Sequence, residues 1–431
     1  MNRIICFISL LSALWSCSSP SQEINDYCSF EQSEFKSPDN TFRSVPFYSL
    51  NDSLSAEELS RQLKLMKEGG FGGAFLHSRI GLLTPYLSEE WFHMMEVGVK
   101  TCQELGIDAW FYDEDGYPSG YAGGIVPLMN RDYCVRTLGR VPKDWDQLTE
   151  DDELLWEDDN YKYVSYAERT GQARYNGGAW VDLMNPEMVK AFIDCTYRPY
   201  VERFAGQPHV KGIFMDEAQV CPRRVPGSTA AVSYSPYVEA VFKNLWGYDL
   251  RPVIPSLFSE VGDWRTVRLH YYRTIAHCLE HSFTRQIADY CAEHGFIWTG
   301  HYNYEEFPAK NMQNEGNLSQ QFRSMQMPGI DALGLRYNPT HTGKVLTSTA
   351  NQYGISRRLS ELFGISGQNM SFEDRMWITS WHTIMGVNFM CPHLYLYSMK
   401  GERKRDYPPT ISHQQPYWSQ NKLFEDYSAR L

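Results

Sequence analysis

Gly212-Ile213-Phe214-Met215-Asp216-Glu217-Ala218 carries apolar residues straight into two adjacent carboxylates. An apolar run that ends at once in acid has the form of a buried strand delivering charge to its C-terminal end. In a barrel of parallel strands that end is the active-site rim. The same pair could instead open a helix, with Asp216 as its N-cap and Glu217 solvated in the first turn. The surroundings decide between the two. Outward from this stretch, short apolar runs recur at 73–77, 107–113, 180–184, 296–301, 329–334, 358–363 and 386–393. Helical patterns separate them. Ser55-Ala56-Glu57-Glu58 is a capping box ahead of Leu59, Leu63 and Met66, and Gly69-Gly70 stops that helix. Ser88-Glu89-Glu90 starts another, Asn185-Pro186-Glu187 a third, and 263–294 is a long helical region. Pro46-Phe47-Tyr48-Ser49-Leu50 is extended and runs into turn formers. The rhythm breaks at about 133–179, where acidic clusters sit among short alternating runs such as Tyr161-Lys162-Tyr163-Val164. The expected fold is therefore α/β: a single (β/α)8 TIM barrel over 46–431, with a small β-rich insertion after the second βα unit and Glu217 closing the fourth strand.

The chain has 431 residues and a net charge of −12, which argues against nucleic acid as a partner. It holds 28 Tyr, 22 Phe and 12 Trp, enough flat rings with polar tips to suit sugar handling, or simply a large aromatic core. Arg3 and the apolar run 4–15 form an export signal too short to span a membrane. The run ends at Leu14-Trp15-Ser16-Cys17, which resembles a bacterial lipobox. Residues 1–17 thus read as a lipoprotein signal peptide with Cys17 as the lipidated residue, and 18–45 as a polar tether. The expected location is periplasmic or outer-membrane-anchored, with plain secretion as the alternative. The eight cysteines beyond that segment show no C-x-x-C pair, against a zinc site or a compact disulfide framework.

Nearly every strand leads into polar or ionisable groups: His77 and Arg79; Asp113, Glu114 and Asp115; Asp182; Asp216 and Glu217; His301, Asn303, Glu305 and Glu306; Asp331; Glu361; His393, Tyr395 and Tyr397. Acids, histidines and tyrosines converging on one face suit a polar-substrate pocket. Some of them will only cap helices, Asp182 first, because Asn185-Pro186 follows. Glu217 and Glu361, on strands four and seven, can stand on opposite sides of a barrel mouth, as glycoside hydrolysis requires of its two carboxyl groups. Asp216 points to the other face if strand alternation holds, so it is assigned to support. No G-x-S-x-G elbow, phosphate-binding loop or H-E-x-x-H helix is present. The many carboxylates could hold Ca²⁺, but without an EF-hand-like loop no metal site is assigned.

Seven ordered stretches carry a resemblance. They are Gly72-Gly73-Ala74-Phe75-Leu76-His77-Ser78-Arg79, Tyr112-Asp113-Glu114-Asp115-Gly116-Tyr117-Pro118-Ser119-Gly120, Asp216-Glu217, Thr299-Gly300-His301, Met327-Pro328-Gly329-Ile330-Asp331, Ser360-Glu361-Leu362-Phe363-Gly364 and Lys404-Arg405-Asp406-Tyr407-Pro408-Pro409. Together they resemble bacterial TIM-barrel glycoside hydrolases similar to the family 106 α-L-rhamnosidases. The resemblance implies a general acid at Glu217 and a nucleophile or general base at Glu361. It implies sugar contacts from His77, Arg79, Asp113, Glu114, His301, Glu305 and His393; Asn303 and Tyr395 join them by position. Enzymes of this type are associated with calcium, whose ligands have no secure match here. The competing expectation is a non-catalytic, lipid-anchored glycan-binding protein on a degenerate barrel.

Overall fold

The computed structural model describes residues 32–336 and 339–431. The signal peptide, Cys17 and the start of the tether lie outside them. A five-residue helix, Gln32–Lys36, belongs to one compact unit, and Pro38–Leu431 forms the other. The second unit therefore begins within the segment read as tether. There Val45 is buried and Arg43 pairs with Asp426 at 2.9 Å.

Eight parallel strands follow one another around a barrel: Phe47–Leu50, Gly73–Ser78, Asp108–Tyr112, Val210–Ala218, Ile297–Tyr302, Met327–Ala332, Leu359–Leu362 and Phe389–Pro392. Each neighbour in that order is also its neighbour in the sheet. Strand eight resumes after a turn as Tyr395–Leu396, which pairs with strand one through Tyr48 opposite Tyr395 and Ser49 opposite Leu396. The Val45 amide also donates to the Met390 carbonyl, and the Tyr397 amide to that of Ser49, each at 3.0 Å. The barrel is closed.

Alternation along the strands builds two cores. Phe47, Phe75, Trp110, Phe214 and Phe389 fill the interior, with ring centroids of Phe47 and Phe214 4.8 Å apart and those of Trp110 and Phe389 5.5 Å apart. Their neighbours Tyr48, Leu76, Phe111 and Ile213 face outward into a larger core shared with the helices. The expected N-caps form, but the capping box at Ser55 is only half made: the Ser55 amide donates to the Tyr397 hydroxyl at 3.1 Å, and the Glu58 carboxylate turns to Arg61 and Gln62. The Ser55 hydroxyl accepts from the Glu58 amide, Ser88 from Trp91, and the Asn185 side chain from Glu187 and Met188.

Two strand assignments change. The stretch 180–184 is not a barrel strand; Val181 makes only a single antiparallel bridge to Cys134. It lies in the connection to helix Pro186–Phe192. The extended run at Phe47–Leu50 is the true first strand, because the last strand supplies its second partner. The two changes cancel in the count, so Glu217 still closes strand four and Glu361 still lies in strand seven. The β-rich insertion accordingly follows the third strand. It is a four-stranded antiparallel sheet in the order Glu153–Glu157, Tyr161–Ala167, Arg136–Pro142, Ala230–Tyr234. Its last member comes from the loop after strand four, so the sheet joins two consecutive rim loops. The seven described cysteines are free thiols. No helix among the described residues is long and apolar enough to cross a membrane.

Candidate active site

One residue layer above the aromatic interior, the strand ends turn polar. His77, Tyr112, Asp216, His301, Asp331 and Glu361 occupy the next inward positions, and His393 follows strand eight. Register sets neighbours: Asp216 lies opposite His301, and Asp331 opposite Glu361. Arg79, Tyr117, Asp216, Glu217, Asp331, Leu333, Glu361, His393 and Tyr407 line a pocket of about 80 Å³.

His301 is the hub. Its Nε2 stands 2.9 Å from Glu361 Oε2 and 3.2 Å from Asp216 Oδ1. Its Nδ1 faces the Tyr302 carbonyl at 3.1 Å and Glu305 Oε1 at 3.4 Å. Both ring nitrogens see only acceptors, so both carry protons and the ring is a cation. Burial opposes that charge, but hydrogen bonds to Asp216, Glu305 and Glu361 outweigh it and hold the His301 pKa well above its ordinary value. Asp216 is held ionised: burial raises its pKa, and His301, the Tyr112 hydroxyl at 2.6 Å and Arg79 lower it further than burial raises it.

Asp216 and Glu217 line the same pocket, contrary to the alternation argument that turned Asp216 away. The pairing of strands four and five slips between Asp216 and Ala218, and Glu217 takes a left-handed φ of 48°. This bulge turns Glu217 back inward. The Asn303 amide donates to Glu217 Oε2 at 3.3 Å. Burial first, then Asp216, Glu305 and Glu361, push the Glu217 carboxyl up to about 8, against the pull of His301. Glu361 is also raised, by burial and then by Asp216, with His301 and Arg79 opposing. Asp331 is raised well above the carboxylate range by burial and by Glu361, and its Oδ1 has no partner.

Arg79 forms a two-pronged pair with Asp406 at 2.7 and 3.0 Å and lies over the rings of Tyr117 and Tyr407. Its Nη1 donates to His77 Nε2 at 3.3 Å, and the His77 ring sits 3.6 Å from that of Tyr112. Burial and the neighbouring Arg79 keep both His77 and His393 neutral.

The remaining expected contacts lie behind or away from the pocket. Glu114 is enclosed by the amides of Asp115, Gly120, Tyr121, Ala122 and Gly123, so it shapes its own loop rather than facing substrate. Asp113 accepts from the Ser119 and Tyr197 hydroxyls, each at 2.5 Å. Tyr395 faces outward, its hydroxyl 2.7 Å from His413 Nδ1. Glu305 sits behind His301 and accepts from the Asp331 amide at 3.3 Å. His77 and Asn303 brace Arg79 and Glu217. Asp182 accepts from the Met184 amide at 3.0 Å, as a turn-capping residue would. Sequence reading passed over Tyr117, Leu333 and Tyr407 as wall residues and Asp406 as the partner of Arg79. The Tyr117-Pro118 and Asp406-Tyr407 stretches were already conspicuous as motifs.

Among the described residues, Asp216, His301 and Glu361 form a group that could offer metal ligands, with atoms all within 4.8 Å of one another. The His301 Nε2 proton stands between the two carboxylates, and calcium prefers an all-oxygen shell. This donor set does not suit calcium.

The C-terminal rim of a (β/α)8 barrel thus carries a pocket with four carboxyl groups, an arginine, a neutral histidine and two tyrosines, backed by the buried His301 imidazolium. No family model matches the chain, and no curated protein matches it. Among solved structures, a rhamnosidase from Novosphingobium sp. PP1Y superposes with a TM-score of 0.66 at 13% identity, covering 92% of this chain and 60% of that one. An endo-beta-1,4-mannanase from Thermotoga petrophila gives a TM-score of 0.43 at 10% identity, covering 90% of this chain and 77% of that one. At 13% identity the first likeness shows the barrel fold alone, and the chain spans about 60% of that rhamnosidase's length.

Proposed function

We propose that the chain is a glycoside hydrolase that cleaves its substrate with Glu217 as general acid and Glu361 as nucleophile or general base. One observation carries the reading: two carboxyl groups from strands four and seven line one pocket, both raised by burial, but only Glu361 is bonded to the His301 imidazolium. Glu217 is raised to about 8 and holds its proton at neutral pH. Glu361 is bonded at 2.9 Å to an imidazolium that favours its ionised form. In the reaction the glycosidic C–O bond breaks, the Glu217 proton goes to the departing oxygen, and water supplies the new hydroxyl at the sugar carbon. Glu361 either accepts the proton of that water or forms the covalent intermediate that water then releases. Asp216 and Arg79 hold the charges around the pair. The rhamnosidase-type barrel and the ordered motifs make α-L-rhamnosides the first glycosides to test.

The test is a panel of synthetic glycosides and purified polysaccharides, with released sugar identified by NMR. Glu217→Gln is expected to lower kcat/KM roughly 10²–10⁴-fold on poor leaving groups and less on good ones, since these need less protonation. Glu361→Gln is expected to abolish turnover on both. Equal activity in wild type and both variants overturns the reading. Glycan binding by calorimetry without turnover on any substrate would support the lipid-anchored binding protein instead.

The Leu14-Trp15-Ser16-Cys17 stretch supports export and lipid anchoring through Cys17. The full chain expressed in a bacterial host is then expected in the membrane fraction, with Cys17→Ser shifting it to the soluble one. An unchanged distribution would count against the anchor.

A further inference from the structure

Glu217 meets one hydrogen-bond donor, Asn303, and what holds that donor lies behind the barrel rim. Asn303 Oδ1 accepts from the Tyr304 amide at 2.8 Å, which fixes which way the side-chain amide is turned and presents Nδ2 to Glu217 Oε2. An N–H donated to Oε2 favours the carbonyl form of that oxygen and leaves the acid proton on Oε1. Asn303 thereby selects the oxygen from which Glu217 gives its proton. It stands on a loop, with Tyr304 beside it at a left-handed φ of 57°, so its placement depends on what braces that loop.

The brace is the end of the next helix, Pro308–Asn314, and the residue that follows it, Glu315. Asn311 Nδ2 donates to Glu315 Oε2 at 2.8 Å and reaches the Asn303 carbonyl at 3.5 Å. The same turn grips the strand that bears the acid: the Val220 amide, just beyond Glu217, donates to the Asn314 carbonyl at 2.9 Å. The turn itself has little freedom. A Cβ on Gly316 would lie 2.4 Å from that of Ala276, and Gln321 Nε2 donates to the carbonyls of both Glu315 and Ala276, at 3.2 and 3.1 Å. One rigid turn is thus tied both to the continuation of strand four and to the loop of Asn303.

Glu315 is fully buried there, away from the pocket. Its Oε2 has the one Asn311 donor and its Oε1 has no partner, which is too little to hold a buried charge. Burial first, then Glu305, Cys221 and Glu217, push its pKa well above the carboxylate range, against the Asn303 backbone amide. A neutral carboxyl kept dry at this cost needs a reason beyond filling space, since an apolar side chain would fill it as well. We infer that Glu315 is a positioning residue for the general acid: it orients Asn311 and, through Asn311, sets Asn303 against Glu217. The inference rests on the glycosidase reading above and adds to it the support that the acid stands on. Glu315 touches neither substrate nor the reacting atoms.

The test reads kcat/KM on 2,4-dinitrophenyl and methyl glycosides of the sugar that the panel releases fastest, because the methyl leaving group needs the proton far more. Asn311→Ala and Glu315→Leu are each expected to lower the value on the methyl glycoside about tenfold more than on the dinitrophenyl one, part of the roughly 10²–10⁴-fold that a well-placed acid supplies. Glu315→Gln keeps the shape of a neutral carboxyl and should restore the wild-type ratio. On an Asn303→Ala background, where the linking side chain is gone, Asn311→Ala should move the ratio no further. Where Glu315→Leu does not fold, Asn311→Ala carries the test, since alanine is a good helix former. Equal losses on the two glycosides, in step with stability in urea, would mean that Glu315 serves the fold alone. That result, or an Asn311→Ala shift that persists beside Asn303→Ala, overturns the inference while leaving the glycosidase reading intact. No turnover of any glycoside by the wild type overturns both.

Discussion

Asp216 and Glu217 are consecutive, carry the same functional group and share one pocket, yet they hold opposite protonation states. Asp216 meets His301, Tyr112 and Arg79; Glu217 has a single amide contact from Asn303 and three carboxyl groups nearby. The difference yields a pH profile. Activity should fall on the alkaline side near pH 8 as Glu217 loses its proton, and on the acid side as Glu361 gains one. Glu217→Gln should remove the alkaline limb from whatever activity remains. Stability has its own sign. The Glu217 pKa is raised from 4.5 to about 8, so the folded state binds that proton more tightly than the unfolded one between those values. The stabilisation is full below about pH 4.5 and is lost as pH rises through the folded value. Thermal melts should therefore show Glu217→Gln gaining on wild type by several degrees between pH 5 and pH 9, since moving the proton's release from 4.5 to about 8 is worth roughly 5 kcal/mol at most and each kcal/mol shifts the Tm of a chain this long by about 1–2 °C. A constant difference across that range would contradict the assignment.

At the scale of strands, the site depends on how closely strands four and five approach. Gly300 faces Met215, and a Cβ placed on Gly300 would lie 1.8 Å from the Met215 carbonyl oxygen, at a φ of 131°. Gly300→Ala must separate the strands that carry Glu217 and His301. It is expected to cost at least about 3 kcal/mol in urea unfolding, at the severe end for a single substitution. Retention of wild-type stability would show that the pairing can give. The barrel itself was readable because apolar runs alternate with capped helices from Ser55 onward. Strand one was not counted, because no amphipathic helical pattern in the sequence precedes Phe47–Leu50 and it gains its second neighbour only from Tyr395–Leu396. The run at 180–184 looked like a strand because it is apolar, but Trp180 and Val181 pack as part of a connection. The bulge at Glu217 was hidden for a different reason. Alternation is a rule about regular strands, and one left-handed residue breaks it without changing composition.

Over the whole molecule the pocket draws on segments that local pattern cannot connect. Arg79 and Asp406 are 327 positions apart and meet only because the barrel brings the loop after strand two against the one after strand eight. Tyr407 reaches the mouth by the same route, which is why the general shape of the site could be read from strand ends while its outer wall could not. The insertion sheet ties the loops after strands three and four into one body beside Glu217. The joining of the first strand to the last has a further consequence. Tyr48 and Tyr395 belong to opposite ends of the chain, and until the later one is present the sheet is an open ribbon with two bare edges, each offering unpaired N–H and C=O groups. A chain cut after Pro392 would keep Glu217, Glu361 and most of its core yet leave both edges largely bare, with only the Val45 to Met390 bond between them. It should run as aggregates by size-exclusion chromatography, and a soluble monomer from that truncation would mean that the edges are protected in some other way.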